Sequence, residues 1–333
     1  MAELIKLSSR NDGLLMGTPG NDRLKGSAGH PQVDNGRRGV IKLLAGNDVI
    51  TSRSDITLRG VVTLNEGDDV IQSGESTTLL GAYEGRSGNA RICLGAGNDR
   101  MESEGEITSS AADLSAGKGD DQINGQAGFH QSYGTSAMGS GADSIIAGGS
   151  GLEAIDTYLR TGSGCDVIDV ITGGAYLWFA TVRMGADDDH LRVRGSLVVG
   201  AGAEINLGGG NDHVEATLVG EIWEGGGDLR LGDGDDRYRG FARLYRYGKQ
   251  YSSADDAPRV WGGKGSDTMI LPRGTYAVGS HQISNGEALL YVNGIEALEG
   301  VAGGRFAMVP GVLTVGRDGV ATFNPSTGAD GGA

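Results

Sequence analysis

Apolar residues along this chain fall into columns that only become visible when a recurring aspartate is used to align them. Two residues after that aspartate stand Leu24, Ile50, Ile71, Met101, Ile123, Ile145, Ile168, Leu191, Val214, Tyr238 and Met269. Seven residues before it stand Leu15, Ile41, Val62, Ile92, Leu114, Ser136, Leu159, Val182, Ile205, Leu229 and Val260, a column broken only by Ser136. Apolar positions two apart mark short strands with one face buried. Four residues after the aspartate the side chains are small or aliphatic, as at Gly26, Ser52, Ala147, Val170, Val193 and Ala216. The stretch from His190 to Asp212 divides into three strands, His190–Val193, Ser196–Val199 and Ala203–Leu207, separated by glycine-rich corners. Self-similarity at this period signals a solenoid.

The aspartates are Asp22, Asp48, Asp69, Asp99, Asp121, Asp143, Asp166, Asp189, Asp212, Asp236 and Asp267, mostly 22 to 24 residues apart. That interval predicts an all-β chain: a parallel β-helix or β-solenoid of about 11 coils, three short strands to a coil and triangular rather than flat. A right-handed hand is expected, because parallel crossovers are right-handed by default. The boundaries expected are a lead-in over 1–14, the solenoid over 15–271, a C-terminal β cap over 272–323 and a tail over 324–333. Within the cap, 275–278, 288–292 and 306–309 read as strands, and 312–315 with 320–323 as a hairpin. Three longer intervals should bulge as loops: around His30 and Pro31, between Asp69 and Asp99, and between Asp236 and Asp267.

Composition agrees with an elongated β-rich body. Glycine makes up 62 of 333 residues and aromatics only 5%, leaving little large apolar surface for a globular core. The net charge of −15 disfavours nucleic acid as a partner and suggests a bound cation as counter-charge. Cys93 and Cys165 lie three repeats apart, about 14 Å at ~4.8 Å per coil, beyond the ~7 Å that a disulfide spans. The N-terminal residues carry no apolar run followed by a cleavage site, so no cleaved signal is expected, and no stretch is apolar enough to span a bilayer.

Glycine stands two residues before the aspartate in ten of eleven copies and four before it in eight. It permits positive φ, so the backbone curls and its carbonyls converge beside a carboxylate. Hard oxygen donors of this kind suit Ca2+; Mg2+ demands stricter octahedral geometry, and no His or Cys column supports zinc. An aspartate that merely bonds its own turn would leave the paired glycines unexplained.

At these turns the chain resembles the RTX, or hemolysin-type, calcium-binding family, whose nonapeptide reads Gly-Gly-x-Gly-x-Asp-x-(apolar)-x. Leu207 to Val214 and Gly117 to Ile123 carry the resemblance, as does the opening Gly17-Thr18-Pro19-Gly20-Asn21-Asp22. It covers roughly residues 15–270. The resemblance implies calcium between consecutive turns, with the eleven aspartates as side-chain ligands. It also implies type I secretion to the exterior or cell surface, with an uncleaved export signal in the last 60 or so residues. Two departures stand out: the turns do not recur every nine residues, and Asp187, Leu44 and Asn65 replace glycines. The lengthened intervals before Asp99 and Asp267 are expected to misalign neighbouring turns, leaving a row of about six to ten ions.

Three functions remain open. The first is a calcium-binding structural, adhesive or surface-layer scaffold, partnered by extracellular polysaccharide or neighbouring subunits. The second is a carbohydrate-active lyase or epimerase using a face from Asp169 through His190, Arg192, His213 and Glu215 to Arg237 and Arg239. The third is a module of a larger assembly. The charged face weighs more as a solvated ladder of complementary charges than as an active site, and no lyase or epimerase motif is present. A basic and aromatic segment holding Arg243, Tyr245, Arg246, Tyr247 and Tyr251 reads equally as a ligand or partner surface and as a covering loop.

Overall fold

In the computed structural model, residues 4–7, 9–28, 30–81, 90–220, 227–244 and 257–326 are described. Each coil sends three strands around the axis, as the repeat predicts. In the fifth, Ala112–Lys118 is followed by the Asp121 corner, then Gln122–Gly125, then Gly128–Ser132. The first strand of every coil joins a 16-stranded sheet; the second and third both join a 22-stranded one, up to the Asp267 coil, whose third strand gives way to the cap. The two meet because His190–Val199 and His213–Gly220 run through the second corner as single strands, with a register shift between Arg192 and Ser196. Pairing between coils is parallel throughout, for example Ile92 with Leu114 and Ile145 with Ile168. The described residues contain no helix.

The alternation of the sequence becomes the inside and outside of the tube. The column two residues after the aspartate is fully or almost fully buried in all eleven coils, and so are Ile41, Val62, Ile92, Ile205 and Leu229 from the column before it. Stacked aliphatic rows form one continuous core, so each coil owes its burial to its neighbours. The polar break in that column, Ser136, is also buried, and its hydroxyl has no hydrogen-bond partner. Cys93 and Cys165 are both free thiols, as their separation predicts.

The solenoid outruns both limits that the columns set. Leu4–Leu7 pairs in parallel with Arg23–Gly26, so the lead-in supplies a first rung. Beyond Asp267, Leu289–Asn293 pairs in parallel with Arg259–Lys264, and Ala297–Gly300 with Thr268–Leu271. The repeat therefore continues for part of a further coil. The remaining cap strands are antiparallel: Gly274–Val278 lies between Gln282–Ser284 and Gly311–Val315, which forms the expected hairpin with Ala321–Pro325. The cap covers strand edges that would otherwise stay unpaired. The first long interval makes a tight excursion closed by a bridge between Ser27 and His30. Residues 82–89 and 245–256 of the other two lie outside the described residues, and with them Tyr245, Arg246, Tyr247 and Tyr251. Arg243 is described, exposed on the strand Ala242–Leu244.

Glycine at the corner is a stacking requirement as well as a turn requirement. Gly97 has φ +137°, and a Cβ built there would collide with the carbonyl of Gly67 in the coil before. The same relation links Gly119 to Gly97 and Gly141 to Gly119. At two of the three departures from glycine a positive φ is kept, Asn65 at +78° and Asp187 at +77°, whereas Leu44 does not adopt one. Gly97→Ala should therefore cost about 1–3 kcal/mol from the left-handed backbone alone, with the clash added. Gly13→Ala, which meets nothing within 4 Å, serves as the control. Chemical denaturation of both variants checks this; equal midpoints would refute it.

Candidate metal-binding corner

All eleven aspartates sit at the same corner, and each is at most 2% exposed. Their carboxylates turn inward and join the coils. The backbone N–H of Asp22 donates to Oδ1 of Asp48 at 2.7 Å, that of Asp48 to Asp69 at 2.7 Å, and that of Asp69 to Asp99 at 2.8 Å. The chain of bonds continues through Asp121, Asp143, Asp166, Asp189, Asp212 and Asp236 to Asp267 at 2.8–2.9 Å. Hydrogen bonds to ionised acceptors are about twice as strong as neutral ones. The long intervals do not misalign the turns: the Asp69–Asp99 and Asp236–Asp267 links are as short as the rest.

The ladder ends on a residue that the aspartate column omits. Asp267 donates to Oε2 of Glu296 at 2.8 Å. A sequence signal exists, since Gly294 stands two residues before Glu296 and the buried Leu298 two after. At the other end, Asp22 is held within its own turn by the backbone N–H of Thr18 at 2.5 Å and its hydroxyl at 2.9 Å.

A second, exposed ladder runs the opposite way one residue earlier. The N–H of Asp68 donates to Asn47, that of Asn98 to Asp68, that of Asp120 to Asn98 and that of Ala142 to Asp120, at 2.8–3.1 Å. It resumes from Asp188 through Asn211 and Asp235 to Ser266. Ala142 and Cys165, which carry no carboxylate or amide, fall in its gap. The Asn or Asp that precedes most of the repeat aspartates is the signal for it.

In the inner ladder, one carboxylate oxygen is used and the other is not. Oδ2 of Asp48, Asp69, Asp99, Asp121, Asp143, Asp166, Asp189, Asp212, Asp236 and Asp267 is buried without any hydrogen-bond partner. The carbonyls of the turn glycines meanwhile aim along the axis, Gly95 and Gly97 facing the backbone of Gly117 and Gly119. Ionised neighbours one coil apart, ~4.8 Å, repel by roughly 3 kcal/mol at an effective dielectric near 20. Burial accordingly pushes the carboxyls up, with like-charged neighbours adding to it at most positions and the donated N–H opposing it. Asp48, Asp99, Asp143, Asp212 and Asp267 reach about 6. Asp69, Asp121 and Asp236 reach about 7, and Asp189 about 8; Asp166 is also raised.

This donor set fits a hard cation. It consists of oxygen alone, it carries unneutralised negative charge, and its orphaned atoms recur in every coil from Asp48 onward. Among the described residues no three His, Cys, Asp or Glu side chains converge on one point, so carbonyl oxygens would have to complete any coordination shell. The resemblance-implied ligand positions are thus brought together in one row, each next to its neighbour.

The face from Asp169 to Arg239 is also brought together, as a ladder. Arg192 lies 3.7 Å from Asp169 and 3.6 Å from Glu215, and Arg239 lies 3.8 Å from Glu215. His190 and His213 stack edge to face at 4.9 Å, and burial lowers the pKa of both.

The geometry defines a β-solenoid with an acidic, glycine-lined corner repeated along its length. Among solved structures, one of a hyperactive, Ca2+-dependent, β-helical antifreeze protein from an Antarctic bacterium is similar. Its TM-score is 0.54 at 17% identity, over 82% of this chain and 72% of that one. No protein-family model and no curated protein matches the chain.

The raised carboxyls set a pH dependence for the metal-free protein. A carboxyl that titrates near 3.9 when unfolded and at 6–8 when folded binds its proton more tightly in the folded state. Its stabilising contribution is full below about pH 4 and is lost as pH rises through 6–8. Melting temperature in chelator should therefore fall between pH 4 and 8; a constant or rising value would contradict the ladder as described.

Proposed function

We propose that this chain is an RTX-like, calcium-stabilised β-solenoid with a non-enzymatic role outside the cell, as a scaffold, adhesin or surface-layer component. The observation that carries the reading is the buried, unpartnered Oδ2 in ten consecutive corners. Ca2+ bound there would neutralise the row and use those oxygens together with the axial carbonyls. The aspartates from Asp48 to Asp267 are the proposed ligands. Asp22, whose carboxylate is taken up by Thr18, and Glu296 bound the row. Support also comes from the Ca2+ dependence of the β-helical neighbour.

Folding is then linked to the metal, because a preformed site does not survive in the unfolded chain. Where calcium is scarce the corners repel; at the millimolar level typical of weak extracellular modules they close. The reading accordingly includes type I export, with its signal in the region that builds the cap and the residues after it. The antifreeze activity of the neighbour is not carried over. At 17% identity the likeness is one of fold, and the corner's exposed column bears the charged residues Glu66, Lys118, Asp233 and Lys264.

Two measurements test the proposal at pH 7.5. Circular dichroism with excess chelator should show loss of β signal or a melting temperature lower by ten degrees or more, restored by Ca2+ and not by equimolar Mg2+. An unchanged melt would sink the proposal. Asp143→Asn keeps the acceptor for the N–H of Asp121 but removes one charge, so it should stabilise the protein in chelator and destabilise it in calcium. A change of the same sign in both conditions would argue against a metal at that corner.

A further inference from the structure

A cleft of about 1100 Å3 opens at the second corner, where the last coils meet the cap. One wall is built from the corner segments of three successive coils, at Arg194, Thr217 and Arg239 to Arg243; the other is the cap, at Arg273 and Asn285. The strand irregularity after Arg192 sets Arg194 at the rim. Phe241 and Tyr276 close the floor, edge to face at 4.9 Å, both buried.

The charge of this cleft runs against that of the molecule. On a chain of net charge −15 its lining sets four arginines, Arg194, Arg239, Arg243 and Arg273, against two carboxylates, Glu215, which pairs with Arg239, and Glu287. Ion pairing elsewhere on the same side is strict, Arg192 lying between Asp169 and Glu215. Among the described residues, Arg194, Arg243 and Arg273 have no carboxylate within salt-bridge distance, and all three are exposed. Guanidinium groups match planar anions in a two-pronged fashion. The aromatic rings are sunk in the floor and offer no stacking platform, so an apolar or neutral ring ligand has little to hold. Between the arginines stand hydroxyl and amide groups, those of Ser196, Thr217 and Asn285, suited to a polyhydroxyl chain. The volume lies just above the ~300–1,000 Å3 of small-molecule sites, more than a single inorganic anion fills.

We propose that this cleft binds an acidic oligosaccharide, gripping its carboxylate groups with Arg194, Arg243 and Arg273. The site is separate from the calcium corner and does not depend on that assignment. Titration calorimetry with hexagalacturonate on the folded full chain, at one fixed calcium concentration, tests it. Cellohexaose, sodium sulfate and a single-stranded DNA hexamer serve as the other probes. Hexagalacturonate should bind, and Arg194→Ala with Arg273→Ala should weaken it tenfold or more while leaving the circular dichroism spectrum unchanged. Glu287→Gln, which removes a carboxylate from the cleft lining, should tighten binding, a gain that misfolding does not produce. The proposal is overturned if cellohexaose binds equally well, if sulfate or DNA binds as tightly, if the double variant binds normally, or if Glu287→Gln leaves affinity unchanged.

Discussion

One hydrogen bond, repeated, governs the rest of this structure: the backbone N–H of a corner aspartate donating to the carboxylate of the aspartate one coil later. It fixes the axial register of each coil against the next at one point. The apolar columns fall into line behind it, because the residue two positions on is carried to the same place each time. It also explains how intervals of 30 and 31 residues coexist with intervals of 21 in one regular tube. The bond constrains the corner and leaves the remaining circumference free to vary. Its counterpart is electrostatic. A carboxylate that must face inward to accept that N–H brings a second oxygen into a place with no donor, and repeating the bond repeats the problem.

The glycines belong to the same constraint. With φ near +130° and carbonyls directed along the axis, the corner can stack only when the next residue in the column has no side chain in the way. Asn65 and Asp187 show that the backbone conformation tolerates substitution at particular coils, and the Asn65 amide bonds back to the Leu43 carbonyl at 2.6 Å. Two ladders of opposite direction, one buried and one exposed, then fasten the corners from both sides, except across the gap at Ala142 and Cys165. One is buried and the other exposed because consecutive side chains in an extended chain point to opposite faces.

The fold was legible because its period was written in residues of one chemical kind. Eleven aspartate corners, ten of them Gly-x-Asp, and two aliphatic columns sufficed for coil length, strand number and the position of the core. The corner's internal chemistry was less legible. Asp22 and Asp121 look alike in sequence, yet one carboxylate is consumed by Thr18 and the other keeps an orphaned oxygen. Glu296 stands outside the aspartate column because it carries a longer carboxylate side chain at the same corner position, with Gly294 as its mark. The arginine cleft could not be read from the sequence in this way. Arg194 and Arg273 are nearly eighty residues apart and meet only because the cap folds back over the last coils. No repeat records that path.

The inner ladder has a polarity, with the amide always from the earlier coil and the carboxylate from the later. Its two ends are sealed differently, by Thr18 around Asp22 and by Glu296 beyond Asp267. Every interior link is chemically interchangeable with every other. Excising one whole coil would place an equivalent amide against an equivalent carboxylate, whereas excising half a coil would not. Length in this architecture is therefore quantised. The tube can be shortened or extended in steps of one coil without disturbing either seal, and the reach of whatever the cap presents changes by one coil rise at each step.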